Sequence, residues 1–142
     1  MENLFSIEGK VIVVTGAGRG IGYELAIGLA KYSAIIYSLD KKFAKKIPEK
    51  LSSNVIEIKC DITNSKKIKQ VFKKIFLKEK RIDVLINNAG VSFASQKKNQ
   101  TYSEKNWLQT INVNLTGSFY CSQEVIKYML KQRNGSIINI TS

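Results

Sequence analysis

The stretch TGAGRGIG (15–22) follows a run of β-branched apolar residues and opens an amphipathic segment. Glycines there let the backbone turn tightly and approach a pyrophosphate, while the free N–H groups and dipole of a helix start favour its negative charge. The spacing does not fit Gly-x-Gly-x-x-Gly, whose last position would fall on Ile21 or Tyr23. It fits Thr-Gly-x-x-x-Gly-x-Gly, through Thr15, Gly16, Gly20 and Gly22. Asp40 closes the second apolar run, 24 residues after Gly16 and 18 after Gly22, near the offset of roughly 20 at which a carboxylate meets the adenosine ribose of a dinucleotide. A carboxylate there accepts both ribose hydroxyls and repels a 2′-phosphate, which favours NAD. Arg19, Lys41 and Lys42 pull the other way, because cations beside Asp40 can hold a phosphate; NADP stays open. The competing structural role for Asp40 is to cap the next helix.

A third group, Asn87-Asn88-Ala89-Gly90, directly follows the fourth apolar run. Four small residues alone would be a turn. Placed beside parallel strands that end in TGAGRGIG and in Cys60-Asp61, they become a third strand end aimed at one ligand, since open α/β sheets bind ligands at the carboxyl ends of their strands. There is no histidine, so the commonest metal ligand and the commonest general base are both missing and any proton transfer must use another group. No metal site is expected. Cys60 and Cys121 lie far apart and read as reduced, partly buried thiols.

Five short apolar runs position these groups: KVIVVT (10–15), AIIYSLD (34–40), VIEIKC (55–60), IDVLINN (82–88) and SIINIT (136–141). Longer amphipathic segments alternate with them, the pattern of βαβ units around a parallel sheet buried on both faces. The first helix is expected over 20–33, burying Ile21, Leu25, Leu29 and Tyr32. A short second candidate, KKFAKKIPEKL (41–51), is interrupted by Pro48. A third covers about 64–80, with Ile68, Val71, Phe72, Ile75 and Phe76 inward and Lys66, Lys67, Lys69, Lys73, Lys74 and Lys78 outward. The region 103–132 is too long for one ordinary helix and is expected to hold two, meeting near INVNLTG.

The 142 residues suit one domain with a real core. The formal charge of +12 comes from 23 basic and 11 acidic residues. Of the basic residues only Arg19, Arg81 and Arg133 are arginine, whereas nucleic-acid readers lean on arginine's bidentate fork; the lysines read as solvated helix faces, and no nucleic-acid partner is expected. No run is long and apolar enough to span a bilayer, and the N-terminus lacks the features of a signal peptide. No membrane association and a cytoplasmic location are expected.

In order and spacing, GKVIVVTGAGRGIG, CDIT (60–63), NNAG, INVNLTGSF and GSIINITS together resemble the short-chain dehydrogenase/reductase family in its single-domain branch, and the resemblance spans the whole chain. It implies a doubly wound Rossmann sheet in strand order 3-2-1-4-5, with two further strands beyond residue 142. It implies an NAD(P)-dependent oxidoreductase moving hydride between a nicotinamide cofactor and a secondary alcohol or ketone. Gly16, Gly18, Arg19 and Ile21, with Gly20 and Gly22 in the same loop, match the pyrophosphate cradle, and Asp40 the cofactor-selecting position. Asp61 and Ile62 match the adenine contacts. Asn88, Ala89 and Gly90 match the wall by the ribose, and Asn87 a more structural asparagine. Asn114 matches a catalytic asparagine at a helix distortion, where a freed carbonyl orders a water, and Ser142 the catalytic serine that holds the substrate oxygen. Dimers or tetramers built on the helices around 114–132 are implied as well.

The family's Tyr-x-x-x-Lys helix, which follows that serine and carries the general acid/base, has no counterpart. The one literal match, Tyr37 to Lys41, falls in a strand, where four residues span ~13 Å rather than one helical turn. The expectation is therefore a C-terminally truncated dinucleotide-binding domain over residues 1–142, the N-terminal part of a longer enzyme and inactive alone, with an uncovered fifth strand that promotes association. The alternative is a non-catalytic dinucleotide-binding module. The substrate is not legible: Gln96, Asn99 and Gln100 suit a hydrophilic ligand no better than a solvated loop.

Overall fold

The computed structural model describes residues 5–93 and 102–141. The five apolar runs form one sheet from β1 (Val11–Thr15), β2 (Ile35–Asp40), β3 (Val55–Lys59), β4 (Val84–Asn87) and β5 (Ser136–Asn139), in the expected order β3-β2-β1-β4-β5. Every pairing is parallel, so each connection must cross a sheet face, and helices do the crossing on most of them. β1 lies at the centre with all five residues buried, which explains why its sequence shows no polar alternation.

Helix α1 (Gly20–Ala30) covers one face, packing Tyr23, Ala26, Ile27 and Ala30 on Ile12, Val14 and Ile36. Helices α2 (Ser65–Glu79) and α4 (Ser118–Gln132) cover the other, with Phe72, Ile75 and Val125 against Val11, Val13, Leu39 and Leu85. α2 follows its expected pattern: Ile68, Val71, Phe72 and Ile75 are buried and Phe76 packs at the edge, with the six lysines exposed. Asn64 caps it by accepting from the Lys67 amide, and Lys80 ends it in the left-handed conformation at φ 60°. Region 103–132 does hold two helices, α3 (Glu104–Ile111) and α4, joined by a π-helical turn over Asn112–Gly117.

Two expectations fail. The inward face of α1 is not Ile21, Leu25, Leu29 and Tyr32: Ile21 and Tyr32 are 66% and 71% exposed, and the two leucines are only partly buried. The helix is apolar almost all round, so the spacing of large residues marks no unique face; the small side chains of Ala26 and Ala30 let the helix sit close on the sheet. Segment 41–51 is no helix beyond a single 3₁₀ turn, Glu49–Leu51. Pro48 cannot donate and disfavours helical geometry before it, and the segment is tied elsewhere, by Ala44 N–H to the Gly18 carbonyl and by Tyr23 Oη to the Lys46 carbonyl.

At the sheet's amino end, buried Asp83 accepts from Val11 N–H at 2.8 Å and from the Arg81 guanidinium. This clamps β1 to β4 there and leaves the carboxyl end for loops. β5 pairs with β4 on one side, and Ile138 within it and Ile140 just beyond are 47% and 42% exposed.

Candidate functional site

The carboxyl ends of β1, β2, β3 and β4 surround a cavity of about 730 Å³. Its walls come from the loop after β1 (Gly16, Arg19, Gly20, Ile21), from Asp40 to Lys42 after β2, from Cys60 to Ile62 after β3, and from Asn88 to Val91 after β4. Ten of the twelve expected cofactor residues thus meet on one cavity. Gly18 and Gly22 do not line it; they lie behind, where their missing side chains let other groups approach.

Threonine and asparagine hold the floor. Thr15 Oγ1 accepts from the amides of both Asn88 and Ala89 at 3.0 Å. The Asn88 side chain donates to Thr15 O at 3.0 Å and Gly16 O at 3.2 Å. Asn88 therefore supports the glycine loop from beneath as well as lining the cavity. A Cβ on Gly16, whose φ is +65°, would stand 2.6 Å from Ala89 Cα, so the first glycine is required both by conformation and by contact. Asn87 is buried in β4 and donates to Ser122 Oγ and Asn139 Oδ1, which joins β4 to α4 and β5 and fits the structural role expected of it.

Asp40 stands at the cavity edge with its carboxylate accepting from Gly18 N–H at 2.9 Å and Lys42 N–H at 3.1 Å. It does not cap a helix; those two amides take that capacity. Asp61 accepts from the amide and hydroxyl of Thr63, at 2.9 and 2.8 Å, and pairs with Lys41 at 3.0 Å. Partial burial opposes its charge, but the Thr63 bonds and Lys41 outweigh that and hold its carboxyl below the usual range. Lys41 is thus matched within the chain, whereas Arg19 and Lys42 make no side-chain ion pair among the described residues and leave net positive charge on the rim. Burial pushes the Cys60 thiol, on the cavity wall, up to about 11 and the Cys121 thiol up to about 12; both are free and inert as nucleophiles at neutral pH.

Asn114 sits inside the π-helical turn, the helix distortion implied for it. Its side chain pairs with the Val91 backbone in both directions, Val91 N–H to Oδ1 at 2.8 Å and Nδ2 to Val91 O at 3.0 Å, and its own carbonyl accepts from Ser118 Oγ at 3.1 Å. It reaches the cavity through Val91 rather than as a lining residue. Ser142, Gln96, Asn99 and Gln100 lie outside the described residues. Tyr37 is a buried strand residue whose hydroxyl donates to Glu79; burial, then Glu79, push its pKa far up, so it is no base. Among the described residues no group of three or more His, Cys, Asp or Glu could hold a metal, and no helix is long and apolar enough to cross a membrane. Residue patterns gave no sign of Ala44, Gln109 and Val113, which also line the cavity; they arrive from a loop and from α3 and the π turn, and only tertiary packing brings them there.

The model of the short chain dehydrogenase family matches residues 10–142. The chain belongs to that family. The chain is 38% identical over 145 residues to the 3-oxoacyl-[acyl-carrier-protein] reductase FabG of Thermotoga maritima, covering 96% of this chain and 56% of that protein. It is 36% identical over 149 residues to the 5-keto-D-gluconate 5-reductase of Escherichia coli K12, covering 100% of this chain and 57% of the relative. The chain therefore spans little more than half the length of these curated relatives. Among solved structures it superposes on ElxO with NADP bound at a TM-score of 0.85 and 30% identity, over 94% of this chain and 56% of that one. The ligand-free aldohexose dehydrogenase of Thermoplasma acidophilum superposes at 0.83 and 34% identity, over 96% and 50%.

Proposed function

We propose that this chain is the dinucleotide-binding part of an NAD(P)-dependent oxidoreductase acting on a secondary alcohol or ketone. The observation that carries it is the convergence of four strand ends on one cavity with a glycine cradle on one side. The residues suit a dinucleotide: a backbone surface at Gly16 and Gly20 at the start of α1 for the pyrophosphate, Asp40 for the adenosine ribose, Asp61 and Ile62 for adenine, and Asn88, Ala89 and Gly90 for the neighbouring wall. When bound, such a cofactor supplies hydride at its nicotinamide. The chain's own groups position it: Arg19 neutralises phosphate charge, Ile21 packs on its apolar surface, and Gly22 lets the helix start approach the strand. Asn114 braces the wall at Val91 and holds its carbonyl near the reacting region. Ser142 is the proposed anchor of the substrate oxygen.

The cofactor choice turns on charge. Asp40 favours NAD, and the unmatched cations Arg19 and Lys42 favour NADP; the relative solved with NADP bound keeps the second option in play. We favour NAD, because two backbone amides hold the Asp40 carboxylate at the cavity edge, whereas Arg19 and Lys42 have no ion-pair partner to hold them there among the described residues. The exposed apolar side chains Leu115, Phe119 and Leu130 on the π turn and α4 support a homo-oligomer as the working state. A non-catalytic dinucleotide-binding module is the alternative. Calorimetric titration with NAD and NADP tests the binding, and oxidation of NADH or NADPH with a ketone panel tests the chemistry. Tight binding of one dinucleotide is expected; saturating titrations without heat or competition would sink the proposal, and binding without turnover by the longer protein of which this chain is proposed to be a part would select the alternative.

A further inference from the structure

The Asp40 carboxylate is held by its own chain before any ligand arrives. Oδ2 accepts from Gly18 N–H at 2.9 Å and Oδ1 from Lys42 N–H at 3.1 Å. Next to these bonds, Ala44 N–H donates to the Gly18 carbonyl at 3.0 Å and Ala17 N–H to the Leu39 carbonyl at 3.2 Å. Three of these bonds join the glycine loop to segment 39–44, and the fourth, from Lys42 N–H, braces the carboxylate from within that segment. The approach is so close that a Cβ on Gly18 would stand 1.9 Å from the Lys42 carbonyl oxygen and 2.9 Å from Asp40 Cγ. Gly18 has no positive φ to explain it; its lack of a side chain serves this contact between loops.

We propose that Asp40, beyond its proposed contact with the ribose, is a positioning residue that locks the glycine loop onto the loop after β2, so that removing it loosens the glycine loop in the free protein and weakens dinucleotide binding through that loop. The proposal rests on the dinucleotide reading above. Hydrogen bonds from backbone N–H groups to a carboxylate are charge-assisted and strong, and a loop already ordered costs less to order on binding. Each carboxylate oxygen keeps a second lone pair, so ribose hydroxyls can still be accepted while the lock is closed. A pure selector acts only through its charge toward the 2′ position. The lock acts in the free protein, through Gly18.

The test compares wild type with Asp40→Ala, Asp40→Asn and Gly18→Ala, reading amide hydrogen exchange at Gly18 and Lys42 without ligand and Kd for NAD and for NADP. Asp40→Ala is expected to speed exchange at both amides and to raise the Kd for NAD by roughly tenfold, the loss of one hydrogen bond to a charged group. Asparagine, which keeps one acceptor oxygen, recovers part of the loss. Gly18→Ala, which wedges the loops apart with Asp40 intact, raises both Kd values as well. Unchanged exchange at Gly18 in Asp40→Ala, or unchanged Kd values in Gly18→Ala, overturns the lock. A wild type that binds neither dinucleotide refutes the function proposed above, while the exchange comparison, which needs no ligand, still decides the lock.

Discussion

Two glycines of one loop are expected to fail for opposite reasons when replaced by alanine. At Gly22 an added Cβ would stand 2.3 Å from the Gly16 carbonyl oxygen and 2.4 Å from Asn88 Nδ2. Relief requires pushing Asn88 away from Thr15 O and Gly16 O, the two carbonyls it holds. Overpacking costs about 1–3 kcal/mol, two neutral hydrogen bonds about 0.5–1.5 kcal/mol each, and alanine's better helix propensity returns about 1 kcal/mol. The net is a loss of about 3 kcal/mol, which for a domain of this size lowers Tm by about 6–12 °C. At Gly20 the φ is +57° and nothing lies within 4 Å of the added atom, so alanine costs only the left-handed conformation, about 1–2 kcal/mol. Asparagine tolerates that conformation. Gly20→Asn should therefore recover most of what Gly20→Ala loses, while Gly22→Asn should be no better than Gly22→Ala. Urea unfolding followed by circular dichroism measures all four variants. A Gly22→Ala protein as stable as wild type, or a Gly20→Asn protein no better than Gly20→Ala, would refute the division between contact and conformation.

Two further outcomes are expected. The Cys60 and Cys121 thiols have folded pKa values raised from 9.0 to about 11 and about 12 by burial, so their contribution is full below about pH 9 and is lost as pH rises toward those values; urea midpoints should fall over that window, and the Cys60→Ala, Cys121→Ala double variant should show a shallower fall, an equal slope counting against the assignment. The exposed side chains of Phe119 and Leu130, 56% and 72% accessible, should drive self-association visible by light scattering and lost in the Phe119→Glu, Leu130→Glu variant. A wild-type monomer at all concentrations would remove that role.

A parallel sheet and the site's composition were legible in the chain because they rest on local signals, whereas the strand order followed only from the family resemblance. Five apolar runs too short for helices, each followed by a motif, determined a parallel sheet and placed Gly16, Asp40, Asp61 and Asn88 at strand ends, where parallel pairing must gather them. The lysine-faced helix was legible too, since apolar and charged residues alternate there at helical spacing. Tertiary structure alone decided the inward face of α1, where an all-round apolar helix turns its small residues, Ala26 and Ala30, to the sheet and leaves Ile21 and Tyr32 outside. It also decided what the charges do. That Asp61 is matched by Lys41, that Asp40 grips the Gly18 amide, and that Asn88 props the glycine loop are contacts between residues distant in sequence. Residue type and spacing set which groups come near the cavity; the distances that couple one side chain to another exist only once the loops are packed against each other.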